Sequence, residues 1–410
     1  MTEQYDPVRQ TSTPQTFSQR ARTARDRAGL TRPVAGGLVG RSPEWIKGIE
    51  SGAIGMPRLP MLIRLAALYE CDVADLTGDD RIAAATYTKS AHSGLPAVKR
   101  ALTTYRLTPA DVEPQSAEVL HARVRQAWRL WHGDGDHRSR VARLLPDLLA
   151  DTQHASRALE GVDRRSALVA QAQTYHLAQL FLAFQPAPEL VMMTGDRSMT
   201  AAQDADSPRA IAGAAWYMNH FYRDANEAAD ARVELAEQAA SLLRQDDEGE
   251  LARWGLLQLA VALSFAKVGR AGLAWRYWDR ANDAAGRLGE DYAHPWLIFG
   301  RGVVNAYALT MHNDLVQPGK ALEVAAALDL DTVPSQTRRS YHLIEMARAH
   351  GLRGEGVATV ALLQKARATS PETVRFNMHT RMVLPELART GPRTVRADAR
   401  SLALELGIAV

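Results

Sequence analysis

The sequence predicts an all-α protein, on three observations. Apolar residues recur at helical spacing from Phe17 almost to the last residue, and no stretch alternates convincingly as a strand. The helical stretches come in pairs of roughly 15 to 20 residues, parted by short Gly, Pro or Asp turns. Capping hydroxyls stand directly before prolines, as in Ser207-Pro208 and Ser370-Pro371, which marks helix starts.

Taken in order, residues 1–15 are polar and read as a flexible arm without the apolar stretch of a signal peptide. From Phe17 a helix follows, with Phe17, Ala21, Ala24 and Ala28 on one face and Arg20, Arg22, Arg25 and Arg27 on the other. Gly29 stops it. Four short helices are expected at 31–38, 43–50, 59–69 and 73–77, so residues 16–78 form a first domain. Residues 79–115 contain Gly94, Pro96, Pro109 and Pro114 and read as a linker with one short helix near 95–105. Residues 116–410 form a long helical array.

Internal similarity refines that array. Val261, Ala262 and Phe265 are followed by Ala274, Trp278 and Ala281. The same offsets recur at Met346, Ala347 and His350, then Thr359, Leu363 and Ala366, closing with Pro371. A weaker copy joins Tyr217 to the stretch 225–243. Small residues that let paired helices approach, with large ones filling the gaps, resemble irregular tetratricopeptide repeats. The blander reading is a generic helical bundle.

Composition bounds the function. With 410 residues, 46% hydrophobic and 23% charged, the chain suits two or three folded domains. Its net charge is only +3, yet ten basic residues between Arg9 and Arg64 oppose just Asp26, Glu44 and Glu50, giving that segment +7. A patch of this size can track a phosphate backbone. Cys71 is the single cysteine, so no internal disulfide or cysteine-based zinc site is possible. The most apolar segment, 251–269, holds Arg253 and Lys267 with thirteen residues between them, too short to span a bilayer. A soluble cytoplasmic protein with no membrane partner is expected.

The stretch "TRPVAGGLVGRSPEWIKGIESG" poses the main question. A phosphate-cradling loop fails on spacing, since Gly36 to Gly40 leaves three residues, Arg41 replaces lysine and no buried strand precedes it. Read instead with its flanks, "AGLTRPVAGGLVGRSPEWIKGIESG" and "LPMLIRLAALYECDVADL" resemble the five-helix, λ-repressor-like domain of Xre (Cro and phage-repressor) helix-turn-helix regulators over about residues 16–78. The matching residues are Leu30, Thr31, Gly40, Ser42, Ile46, Ile49, Glu50, Gly52, Leu62, Leu65 and Ala66. Gly40 permits a positive φ at the tight turn, Ser42 can cap the reading helix and Pro43 suits its first position.

The resemblance implies binding to double-stranded DNA, with the second of the paired helices in the major groove. Pro43, Glu44 and Lys47 are expected to face outward. Lys47 and Glu44 are the candidates to reach bases, Glu44 alternatively serving as a solvated charge that complements the helix dipole. Arg32, Arg41, Ser42 and Arg58 are candidates for the DNA backbone, and Trp45 is expected to pack between helices. Gly36-Gly37 inside an eight-residue helix costs about 2 kcal/mol of helix propensity. That softness motivates an alternative function, a protein-interaction module whose head no longer reads DNA.

The stretches "AWRLWHGDGDHRSRVARLLPDLLAD" and "RRSALVAQAQTYHLAQLFLAF" further resemble the start of the tetratricopeptide-like sensor domains carried by such regulators in Gram-positive bacteria and actinomycetes. This resemblance implies a homodimer sensing a peptide or small-molecule effector. Candidate effector residues are Asn219, whose side-chain amide could hold a peptide backbone, with Tyr222 and Arg223 nearby, and Asn305 with Arg301. The alternative is that these asparagines bond neighbouring helices or face water. Trp216, Trp254, Trp275, Trp278 and Trp296 are expected to be mostly core. His132, Asp134, Asp136 and His137 form the densest set of potential metal ligands but read as a solvated turn. No catalytic or dinucleotide motif is present, so neither enzyme activity nor a cofactor is expected.

Overall fold

The computed structural model describes residues 16–57, 59–69, 71, 73–78, 90–105, 112–224 and 229–408. Every regular element among them is a helix, and the chain divides into two compact units, Met1–Thr88 and Lys89–Val410. Among the described residues, no helix is long and apolar enough to cross a membrane.

The first unit, the head, contains α1 (Phe17–Arg27), α2 (Arg32–Val39), α3 (Pro43–Ser51), α4 (Leu59–Leu68) and α5 (Val73–Thr77). Local chemistry sets its boundaries. Thr16 and Gln19 form a reciprocal capping box at α1, while Thr31 and Ser42 cap α2 and α3. Gly40 ends α2 in the left-handed conformation with φ 69°. Ala21, Ala35, Ile46, Ile49, Leu65 and Leu76 are fully buried at its centre. One expectation fails on α1: Arg25 belongs to the interior and not to the solvated face, being only 7% exposed.

The second unit, the body, begins before the expected boundary. Helix α6 (Leu95–Thr103), read from sequence as part of a linker, buries Val98 and Leu102 against the helices that follow. Its amphipathic face needs a partner, and the body supplies it. The chain continues through α7 (Ala117–Gly133), α8 (His137–Ala158), α9 (Gly161–Leu182), α10 (Pro188–Asp204), α11 (Pro208–Asp224) and α12 (Ala229–Ser241). Then come α13 (Glu248–Lys267), α14 (Ala271–Leu288), α15 (Arg301–Asp314), α16 (Pro318–Ala327) and α17 (Gln336–Leu352). The last are α18 (Gly356–Thr369), α19 (Pro371–Phe376), α20 (Met378–Thr390) and α21 (Arg393–Glu405). From α7 onward successive helices pack on one another, and alternate ones also meet, as α6 with α8, α11 with α13 and α13 with α15.

Several residues at the repeat offsets lie between paired helices. Val261, Ala262, Ala274 and Ala281 are fully buried between α13 and α14. Ala347, Thr359, Leu363 and Ala366 play the same part between α17 and α18. Unlike an open array, the body also closes on itself. The His132 ring at the end of α7 hydrogen-bonds Ser335 Oγ at the start of α17 (2.9 Å), 203 residues later. Glu372 on α19 accepts hydrogen bonds at the start of α8 from the backbone N–H groups of Arg138 (2.6 Å) and Ser139 (3.1 Å). A distant carboxylate thus satisfies helix-start donors that Asp136, at the cap position, leaves open.

Candidate nucleic-acid interface and ligand cleft

In the head, the geometry of the α2–α3 pair is set by one buried acid. Glu50, near the end of α3, has a side chain 1% exposed. Arg25 of α1 donates to it through Nε (2.5 Å) and Nη2 (3.2 Å), and Arg32 at the start of α2 donates through Nε (2.8 Å). Arg25 Nη1 also donates to the Leu30 carbonyl (2.7 Å). Burial works to raise the Glu50 carboxyl, but the hydrogen bonds from Arg25 and Arg32 prevail and hold it below the usual carboxylate range. One carboxylate therefore ties three helices together and fixes the angle at which α3 is presented.

The α2–α3 turn explains the paired glycines. A Cβ on Gly36 would stand 2.7 Å from the Arg41 carbonyl oxygen and 3.1 Å from the carbonyl carbon and oxygen of Ser42. Gly36 also accepts from the Arg41 N–H (2.7 Å), closing the turn. Its glycine is thus a packing requirement of the bihelical unit, whereas Gly37 is open, with nothing within 4 Å. The inference of a degenerate head from Gly36 loses its motive.

On α3, Ile46 and Ile49 are fully buried while Glu44 and Lys47 are exposed, with Pro43 half-buried beside them. Ser42 is exposed and its hydroxyl accepts from the Trp45 N–H (3.2 Å). Arg41 is exposed, with its guanidinium carbon 5.6 Å from the Trp45 ring centre, and Trp45 packs half-buried on the head core. Arg32 differs from its expected role as a free phosphate ligand, because its side chain, 37% exposed, is engaged by Glu50. Arg58 lies outside the described residues.

In the body, the effector candidates are not brought together. Asn219 is buried, its Nδ2 donating to the Arg232 carbonyl (2.5 Å) and its Oδ1 accepting from Ser264 (3.1 Å). It joins three helices and has no amide face left for a peptide. Arg301 is held by Asn282 (2.8 Å) and Glu290 (3.0 Å), and Asn305 faces solvent. Both outcomes follow the structural alternative. The side chains of Tyr222 and Arg223 lie outside the described residues.

A cleft of about 140 Å³ opens instead on the inner side of the closed array. Its walls come from α7, α8, α9, α11, α15, α17 and α19, together with the segment between α14 and α15. That segment carries Trp296, partly buried against the core and also lining the cleft, 5.2 Å between ring centres from Trp128. Its neighbour Ile298 adopts φ 58°, a strained conformation for a β-branched residue, and is held by burial and by donation to the His294 carbonyl (2.9 Å).

His132 and His176 of the cleft wall are buried. His132 contacts Ser335 and the Trp296 carbonyl (2.8 Å), and His176 lies among Trp128, Tyr217 and Trp296. Burial pushes both down to about 3, so they are neutral near pH 7. His137 packs edge-on to Trp131, while Asp134 pairs with Arg140 and accepts from the Asp136 N–H. The histidines of "WHGDGDHR" are therefore buried, contrary to the reading of a wholly solvated turn. Among the described residues, no group of three or more His, Cys, Asp or Glu is placed to hold a metal.

A family model described as a helix-turn-helix domain matches residues 16–77. The chain carries a helix-turn-helix head. The match spans α1 to α5 and leaves the body outside it. No curated protein matches the chain. Among solved structures, the crystal structure of BtubC (BKLC) from P. vanneervenii is similar at 13% identity and a TM-score of 0.32, over 61% of this chain and 90% of that one.

The sequence signal missed in the head was Arg25, which amphipathic spacing assigns to solvent. In the body, the missed residues were those of the cleft, whose rings are spread over more than 200 positions of the chain.

Proposed function

We propose that this chain is a cytoplasmic, sequence-specific DNA-binding transcriptional regulator of the Xre type. The observation that carries this reading is the outward row of Glu44 and Lys47 on α3, above the buried Ile46 and Ile49, with exposed Arg41 at the turn. In that arrangement α3 enters the major groove, Lys47 and Glu44 meet base edges, and Arg41 and the Ser42 region meet phosphate. Arg32 acts chiefly through its bond to Glu50, which sets the helix-pair angle.

The body is, in this proposal, a tetratricopeptide-like sensor that homodimerises and changes the spacing of two heads when an effector occupies the aromatic cleft. The cleft volume favours a small molecule over an extended peptide. Electrophoretic mobility shift on the protein's own promoter region tests the DNA reading. Retardation at low salt is expected, with K47A weakening binding and altering sequence preference and R41A weakening it uniformly while reducing the salt slope by about 1. No retardation, with or without cell extract as an effector source, overturns it.

A further inference from the structure

The charged groups on the cleft wall are guanidinium donors, Arg138 and Arg338. Arg338 lines the cleft half-buried; its Nη1 donates to Tyr307 Oη (2.5 Å) and its guanidinium carbon lies 5.9 Å from the Tyr307 ring centre. The Nε and Nη2 edge, the fork that matches a carboxylate, has no protein partner among the described residues. Two further lining residues hold buried N–H groups without partners: Trp128 Nε1 and Arg138 Nε. Among the described residues, no aspartate or glutamate lines the cleft. An occupant that accepts hydrogen bonds and carries negative charge suits these donors.

Size and surface restrict it further. A closed apolar cavity of about 150 Å³ takes benzene, and this cleft, near 140 Å³, has Trp128 and Trp296 in its wall, their rings packed on each other with centres 5.2 Å apart. We propose that the cleft binds a small planar aromatic anion, a single-ring carboxylate, its ring against Trp128 and Trp296 and its carboxylate on the Nε–Nη2 edge of Arg338. This rests on the reading of the cleft as the effector site. It disfavours a cationic ligand, because Arg338 faces the cleft and the acid nearest to Arg138, Glu372, is taken up by the start of α8.

Isothermal titration of the full chain, with tryptophan fluorescence as a second readout, tests this with benzoate and salicylate against benzamide, benzamidine and acetate. Saturable one-to-one binding of benzoate or salicylate is expected, with benzamide and acetate weaker and benzamidine weakest. Replacing Arg338 by Gln should weaken the carboxylates by about tenfold to a hundredfold, the usual worth of a charge-assisted pair, and leave benzamide unchanged. Tyr307→Phe keeps the ring but releases Arg338 and should weaken carboxylates several-fold, so a misfolded R338Q leaves the proposal testable. Absence of benzoate and salicylate binding up to about 10 mM, equal binding of benzamidine, or undiminished affinity in R338Q and Y307F overturns it. DNA retardation is read separately on the same preparation. Its loss with benzoate binding intact sinks the regulator reading, and the reverse sinks only the ligand class.

Discussion

Alanine at Gly36 and alanine at Gly37 should have opposite effects, although the two positions are adjacent in one helix. Both replacements gain about 1 kcal/mol of helix propensity. At Gly37 nothing lies within 4 Å of the new Cβ, so that gain is realised. At Gly36 the Cβ meets the Arg41 carbonyl oxygen at 2.7 Å and Ser42 carbonyl atoms at 3.1 Å. These are backbone atoms, unable to swing aside as a flexible side chain would. Overpacking of this kind costs about 1 to 3 kcal/mol, and the rigid neighbours place it toward the upper end, leaving a net loss of about 1 to 2 kcal/mol. Relief would move the segment carrying the Ser42 cap, and with it the start of α3. Hydrogen exchange over residues 31–52 of the full chain reads this locally, because the body contributes no signal there. Opening should rise about five- to thirtyfold in G36A and fall about fivefold in G37A. DNA retardation should weaken in G36A alone. Increased protection and unchanged retardation in G36A would refute the close-approach argument.

Replacing Glu50 by Gln leaves buried Arg25 with only the exposed carboxylate of Asp26 (2.7 Å) as counter-charge and should cost up to about 3 kcal/mol, read by exchange across α1 to α3. Because that carboxyl is held low in the folded state, its contribution is present above about pH 4.5 and is lost as pH falls below it. His132, His176 and His342 are lowered to about 3 by burial, so the unfolded chain takes up protons first as pH falls through 6.5. Each should remove about 2 kcal/mol of body stability by pH 5; a melting temperature unchanged between pH 7 and 5 would show that they are not buried neutral. Glu372→Gln weakens the capping of α8 and the bridge to His92 (3.4 Å), and should lower the melting temperature of the body but leave DNA retardation at permissive temperature intact.

The short-range part of the design was legible. Thr31, Ser42, Pro43 and Gly40 act within a turn of their own position, so caps, first-position prolines and a left-handed stop identify α2 and α3 from the residues alone. Exposure of Glu44 and Lys47 above Ile46 and Ile49 follows from the same periodicity. Arg25 was misassigned for the opposite reason. Its partner Glu50 is 25 residues away, and a long side chain on an otherwise polar face carries no mark of an inward ion pair.

What the sequence by itself determined was therefore the all-helical class, the five short helices of the head and the side of α3 that is offered outward. These depend on spacing and capping chemistry that act over three or four residues. Only the tertiary structure decided that Gly36 is required by the turn, that Asn219 is a joint between helices, and that the array closes to bring Trp128, Trp296 and Arg338 around one cleft. Those outcomes depend on contacts between residues as much as 234 positions apart, where packing and desolvation choose the partners and local pattern carries no record of the choice.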